Sequence, residues 1–295
     1  MTFRPAIRPG APLLRRDATH LQVGTSPGIV IADRPGLLPL LRLIDGARDV
    51  DRITAIARES IPDLAIPVAE VLAELRILGA VFDATRWSGA RRRGLDAEAR
   101  HVDLIGDDPA RLSRRPAIGL AFHCDAGARS LVDIAQTVLA DSGVTRLDAP
   151  DPDLLVIASR AEPSRGVFEQ PVRLGLDHLP VVIDEDRVRI GPLVRPGHTP
   201  CVSCHDLHRG DWDRAWPALV HQLGRHTAGM TPPAVDAVTS HAAALELAVE
   251  VLALADGRAL RTLGRCLAVG PEPGDRMTWQ VAFHHSCTCD LLRAA

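Results

Sequence analysis

Two short cysteine pairs, far apart in sequence, constrain this chain more than any other feature. Cys201-Val202-Ser203-Cys204 is a C-x-x-C, and Cys287-Thr288-Cys289 is a C-x-C far downstream. Two such pairs on separate loops can converge on one tetrahedral ion, each acting as a clamp. Zinc suits thiolates because its filled d-shell imposes no geometry of its own. Four thiolates close the coordination shell, so the centre is structural and ties the C-terminal tail to the middle of its domain. The expected ligands are Cys201, Cys204, Cys287 and Cys289. Buried inert cysteines and a redox C-x-x-C are the other readings. His205 and His285 flank the pairs as substitute ligands, and Cys124 and Cys266, unpaired in sequence, read as small core residues.

The metal reading needs reduced thiols. Six cysteines in 295 residues are too few for a disulfide-dense secreted module. The opening Met1-Thr2-Phe3-Arg4-Pro5 lacks the apolar run of a signal peptide. The most apolar long stretch, 242–255, carries Glu246 and Glu250 and reads as too short to span a bilayer. A cytoplasmic protein without membrane contact is expected. Apolar residues make up 46% and charged residues 24%, so the chain can bury a core and whole-chain disorder is excluded. The net charge of −3 gives no overall pull toward nucleic acid or anionic lipid. Lys, Asn and Tyr do not occur, so every basic residue is Arg. Their codons are AT-rich, and Arg abundance here reflects a GC-rich genome rather than phosphate binding.

The length suggests two domains at about 150 residues each. Residues 1–84 form one pattern. Short strands are expected at 12–16, 19–23 and 28–31, with turn signals between them. A helix follows over 37–44. A second starts with Asp49 as N-cap, and a third runs from Pro67 to Leu78 with Gly79 as its C′ residue. Val81-Phe82 returns as extended chain, which completes a winged-helix arrangement. Residues 85–115 read as a solvated linker. Arg86, Arg91, Arg92, Arg93 and Arg100 make it basic, and interspersed acids dilute the field. From 116 to 295 the texture is α/β. Strands are expected at 117–122, 153–158, 179–183 and 188–190, helices at 129–141 and 234–254, and late strands at 266–269 and 277–283.

A nucleotide-binding α/β domain places a Gly-rich turn after its first strand, where backbone N–H groups cradle phosphates. Here that turn reads His123-Cys124-Asp125-Ala126-Gly127-Ala128-Arg129, with one glycine. Neither G-x-G-x-x-G nor a P-loop is present. His198, His205 and His208 lie near Asp206, Asp211 and Asp213. They suggest acid–base work, but a polar loop with satisfied histidines is preferred because no nucleophile accompanies them. Trp212 and Trp216 read as packing anchors or an interface patch rather than a cofactor platform.

The run Gly191-Pro192-Leu193-Val194-Arg195-Pro196-Gly197-His198-Thr199-Pro200-Cys201-Val202-Ser203-Cys204-His205-Asp206-Leu207-His208-Arg209 closely resembles a signature of the ocin-ThiF-like proteins. So does Asp211-Trp212-Asp213-Arg214-Ala215-Trp216-Pro217, and Cys287-Thr288-Cys289 looks like the second half of that family's zinc site. These are E1-like (ThiF/MoeB-type) members of azole-forming peptide pathways. Residues 1–84 look like a RiPP recognition element, a PqqD-like winged helix that captures a leader peptide. The resemblance implies a winged-helix domain followed by a reduced E1/ThiF-like, Rossmann-type α/β domain. It implies a scaffold that binds a precursor's leader and presents the core to a YcaO-type cyclodehydratase, with a homodimer plausible. The leader would add a strand along Gly28, Ile29, Val30 and Ile31, and Leu72, Leu75 and Arg76 of the third helix would form the groove wall. The chain departs from true E1 enzymes in lacking the Gly-rich turn and any Lys. An ATP-using E1-type adenylyltransferase is the enzyme alternative. A winged-helix transcription factor is the third, weakened by Glu70 and Glu74 on its would-be recognition helix.

Overall fold

The computed structural model describes residues 2–224, 234–272 and 274–289. The chain divides into two compact units, Met1–Ser113 and Arg114–Ala295.

The first unit runs β1 (Pro5–Ile7), β2 (Leu13–Arg15), β3 (His20–Val23), β4 (Ile29–Ala32), α1 (Leu37–Leu43), α2 (Val50–Ser60), α3 (Val68–Ile77) and β5 (Val81–Asp83). Strands β2, β3 and β4 form an antiparallel sheet in that order, while β1 pairs antiparallel with β5. Asp49 caps α2 by accepting the Arg52 N–H at 2.9 Å, which satisfies a donor the helix itself cannot. Ile53 and Ala57 then turn inward from α2, and Val68, Val71, Leu72 and Leu75 from α3. They meet Leu21, Val23 and Ile31 of the sheet and Leu37, Leu40 and Leu41 of α1 in one core. Gly79, at φ +70°, ends α3 in the left-handed conformation, and the Ala80 N–H bonds back to the Leu75 carbonyl at 2.8 Å. Strand β1 had no sequence signal, being three residues long and starting on a proline.

The basic stretch expected as a solvated linker is folded. A 3₁₀ turn (Ala84–Trp87), α4 (Ser88–Arg91), α5 (Asp96–Leu104) and a second 3₁₀ turn (Pro109–Arg114) follow β5. Trp87, Ala90, Leu95, Ala99, Val102 and Leu112 bury a second small core with Ala6. The Trp87 indole N–H donates to the buried Asp103 carboxylate at 2.8 Å, and Arg86 pairs with its other oxygen. Six apolar side chains spread thinly among arginines suffice to fold this stretch, and no composition signal marks them.

In the second unit, β6 (Leu120–Cys124), α6 (Arg129–Asp141), β7 (Leu154–Arg160), a 3₁₀ turn (Arg165–Phe168), α7 (Glu169–Arg173), β8 (His178–Asp184) and β9 (Arg187–Ile190) come first. Next come α8 (Val202–Trp212), α9 (Trp216–Leu223), α10 (Ala237–Ala255), β10 (Arg265–Val269) and β11 (Arg276–Gln280). The sheet order is β11-β10-β9-β8-β7-β6. Strands β6, β7 and β8 are parallel, and the β8–β9, β9–β10 and β10–β11 pairs are antiparallel. Alternation along β7 sends Leu154, Val156 and Ala158 into the core shared with α6 and α10, while Ile157 joins Phe168, Val194 and Val202 in a separate cluster. Helix α10 is long and apolar enough, by length and composition alone, to cross a membrane. Its Ala243, Ala244, Leu247, Ala248 and Val251 are fully buried in the sheet core, which accounts for that apolarity. Gly191 follows β9 at φ +97°, and a Cβ there would stand 2.7 Å from the Arg265 carbonyl oxygen. Glycine alone lets the chain pass β10 and turn toward the cysteines.

A candidate metal centre and a candidate peptide edge

The C-x-x-C does not lie in a loop. Cys201 is the N-cap of α8, and Cys204 sits in the first helical turn, fully buried. Residues 191–200 deliver it there. Gly197 adopts φ +78°, and the buried Thr199 hydroxyl accepts from the Arg195 N–H at 2.7 Å and donates to the Leu193 carbonyl at 3.2 Å. The segment after β11 brings back Cys287 and Cys289. Sγ of Cys201 lies 3.6 Å from Cys287, Sγ of Cys204 lies 3.4 Å from Cys289, and all four sulfurs fall within 4.8 Å of one another. A tetrahedral Zn–S shell with bonds of about 2.3 Å has sulfur–sulfur edges of about 3.8 Å, so the four sulfurs fit one such ion. Burial and the neighbouring sulfurs push the Cys201 thiol up to about 11. Four thiols packed this way do not ionise together unaided. A dication at this position would supply the missing charge, and the helix N-terminus adds partial positive charge. The His284 N–H points at Cys204 Sγ at 3.5 Å. Neither His205 nor His285 joins the sulfur group; His285 stacks on His284 at 4.3 Å between ring centroids.

Behind the cysteines lies an ionic network that the sequence did not reveal. Arg165 grips Asp206 through two bonds of 2.6 and 2.7 Å, and also reaches Glu162 at 3.0 Å. Arg189 donates to Glu162 at 2.7 Å, and the Trp216 indole donates to Asp206 at 3.0 Å. Burial alone would raise both carboxyls. Arg189 and Arg165 nevertheless hold Glu162 below its ordinary range, and His205, Arg165 and Trp216 do the same for Asp206. Burial lowers His205, whose Nδ1 has no hydrogen-bond partner among the described residues. The network pins α8, and through it Cys201 and Cys204, to the ends of β7 and β9.

The histidines expected in a polar loop instead stand on α8 or beside it. His208, Asp211 and His284 place their side-chain ligand atoms within 4.8 Å of one another. The Ser286 N–H donates to His284 Nδ1 at 3.1 Å, which leaves the ring proton on Nε2, facing Asp211 at 3.0 Å. The trio is therefore an Asp–His hydrogen bond with His208 at its edge (ring centroids 4.8 Å apart) rather than an open ligand set.

The turn after β6 is occupied by the protein's own groups. Asp125 accepts the Ala128 N–H at 2.9 Å and the Arg160 N–H at 2.8 Å. Arg160 also lies across Gly127, where a Cβ would come within 2.8 Å of its side chain. The carboxylate stands where a phosphate would meet the start of α6.

In the first unit, β4 has β3 on one side and, among the described strands, none on the other. Val30 on β4 is 42% exposed, while Ile31 points into the core at 2%. Ile29 is half-buried, and Gly28 lies under the Gln22 side chain. The turn after β4 is joined to α3 by the Arg34–Glu74 ion pair at 2.5 Å. Two of the expected groove residues face the wrong way: Leu72 is 4% and Leu75 1% exposed, both packed in the core of the unit. Apolarity placed them on the helix's buried stripe, and that stripe faces inward. Arg76 is exposed, its guanidinium 5.4 Å from the Phe3 ring centroid. Ile77, which the sequence reading passed over, is 88% exposed.

No family model and no curated protein matches this chain. Solved structures do. A heterocyclase in complex with substrate and cofactor aligns at TM-score 0.65 and 19% identity, over 98% of this chain and 40% of its own. The heterocyclase TruD aligns at 0.62 and 14%, over 98% and 43%. The microcin C7 biosynthetic enzyme MccB in complex with N-formylated MccA aligns at 0.58 and 12%, over 97% of this chain and 99% of its own. The chain thus shares a mixed α/β fold with these proteins, and spans about two fifths of the length of the two heterocyclases.

Proposed function

We propose that this protein captures the leader segment of a ribosomally made precursor peptide and presents the remainder to a separate YcaO-type cyclodehydratase that makes azolines. The first unit, read as a winged helix, holds the leader. The second is a reduced E1-like scaffold in which zinc at Cys201, Cys204, Cys287 and Cys289 stabilises the fold in a reducing compartment. The observation that carries this reading is the open edge of β4, whose exposed Val30 and unpaired main chain suit an added strand. Likeness to a heterocyclase bound to its substrate and to MccB bound to MccA supports a peptide as the ligand class.

The test uses peptides selected from a displayed random library on the full chain. Val30→Asp should weaken the selected peptides by up to about fivefold, because a carboxylate replaces an apolar cross-strand neighbour on the exposed face. Unchanged affinity would refute the β4 edge. Leu72→Asp would report on folding instead, since Leu72 is in the core.

The E1-type adenylyltransferase is the second reading. MccB, a biosynthetic enzyme matched over nearly its whole length, favours it. The Asp125 carboxylate opposes it, since it takes the Ala128 and Arg160 N–H groups and places negative charge at the turn before α6, where a phosphate would approach. Calorimetry with Mg-ATP separates the two: no heat at millimolar ATP fits the scaffold, and micromolar binding together with ATP–pyrophosphate exchange fits the enzyme. A homodimer is part of the scaffold reading and is checked by sedimentation.

A further inference from the structure

The folded arginine stretch makes a site of its own. A cleft of about 700 Å³ in the first unit is lined by Arg4, Arg8, Arg91, Arg92 and Arg100 over an apolar floor that includes Ile7. Its one acidic lining residue, Asp45, is engaged by Arg48 at 2.5 Å. Arg91 and Arg100 share a single carboxylate, Asp96. Among the described residues the Arg8 guanidinium bonds the Pro27 carbonyl, at 3.1 Å, and no carboxylate. Arg4 and Arg92 have no acidic partner among the described residues. The nearby Asp83 accepts at Oδ1 from the Arg4 and Thr85 N–H groups and the Thr85 hydroxyl, and pairs with no lining guanidinium among the described residues. The cleft therefore holds several cations that the protein does not neutralise, although the whole chain is slightly acidic.

We propose that this cleft binds a carboxylate-rich peptide segment. Concavity and an apolar floor suit a chain that alternates acidic heads with aliphatic stems. A single-stranded nucleic acid is disfavoured because base stacking needs an exposed aromatic ring. Trp87, the aromatic residue lining the cleft, is only 6% exposed and its indole N–H is committed to Asp103. A bare phosphate is disfavoured because the cleft is much larger than one anion. The extension to the precursor peptide, with its leader on β4 and an acidic stretch in the cleft, rests on the preceding proposal.

The probe is fluorescein-labelled hexaglutamate, read by anisotropy on the full zinc-loaded chain, with hexaglutamine as the neutral counterpart. Hexaglutamate should bind at low salt and weaken steeply as salt rises, and hexaglutamine should not bind. Arg4→Glu with Arg92→Glu should weaken hexaglutamate by about tenfold or more. Arg42→Glu, an exposed residue outside the cleft, should leave it unchanged, and melting curves would verify that all variants fold. Equal binding of hexaglutamate to the double variant and to the unaltered protein would overturn the site. Tighter cleft-dependent binding of tripolyphosphate or a dT oligonucleotide would overturn the ligand class. Val30→Asp separates the two proposals: hexaglutamate binding that survives it stands without the β4 edge, and loss of selected-peptide binding there says nothing against the cleft.

Discussion

At the residue scale the four cysteines were legible because thiol pairing leaves a spacing signature independent of the fold around it. With zinc held as proposed, replacing Cys201 or Cys287 by Ala would remove a ligand and leave three crowded sulfurs without a cation. Each variant should lose its zinc, measured by plasma emission. Each should also lose about 3 kcal/mol of stability, about 6–12 °C in melting temperature for a unit of this size. One zinc per chain retained in both variants would rule out the four-cysteine centre. Glu162 and Arg189 left no comparable signature, because they meet through folding: one follows β7, the other lies on β9. Since Glu162's folded-state pKa is depressed, its contribution is complete above the unfolded value of about 4.3. It is lost as the pH falls through the depressed value. Glu162→Gln leaves the buried Arg189 unpaired and should cost about 3–5 kcal/mol near neutrality. That deficit should shrink in acid, where the unaltered protein also loses the charge. A difference between the two that stays constant from pH 7 to pH 3 would show that the pair contributes no charge-dependent stability.

At the scale of elements, legibility followed the length of the periodic pattern. Helices α2, α3, α6 and α10 carry apolar residues at helical spacing, and β7 and β8 are apolar runs of strand length. The polar sequence of helix α8 predicts a loop. Its buried residues are Val202, Cys204 and His205, all in its first turns, and the remainder is polar. The helix is held by the ionic grip on Asp206, which periodicity does not detect. Caps, by contrast, are local and legible. Asp49 was expected at the start of α2 and accepts the Arg52 N–H. Asp49→Ala should therefore destabilise the first unit by about 1 kcal/mol, a fall of about 4–8 °C in its melting temperature. Asp49→Asn, which keeps the acceptor, should recover most of it. If Asn were no better than Ala, the cap bond would not be the source of the effect.

At the scale of the whole molecule, the change of texture along the sequence suggests two units but does not say where the first one ends. The winged-helix pattern ends near residue 84, whereas the compact unit runs to Ser113. The difference is physical. Trp87, Leu95, Val102 and Leu112 close over Ala6, with Phe82 packed against them, and Trp87 is fixed by its bond to Asp103. A fragment ending at residue 84 would keep the main core but leave that side of β1 and β5 open to water. A buried aromatic side chain is worth about 1.5–3 kcal/mol before the cost of ordering the added chain, so a fragment of residues 1–113 should be more stable than residues 1–84 by about 1–3 kcal/mol. Urea titrations followed by circular dichroism would measure this as a higher midpoint for the longer fragment. The Arg cleft supplies an independent readout: Arg91, Arg92 and Arg100 lie beyond residue 84, so only the longer fragment should retain hexaglutamate. Equal midpoints would mean that the helices after β5 rest on the unit without stabilising it, and the boundary at 84 would then be the physically meaningful one.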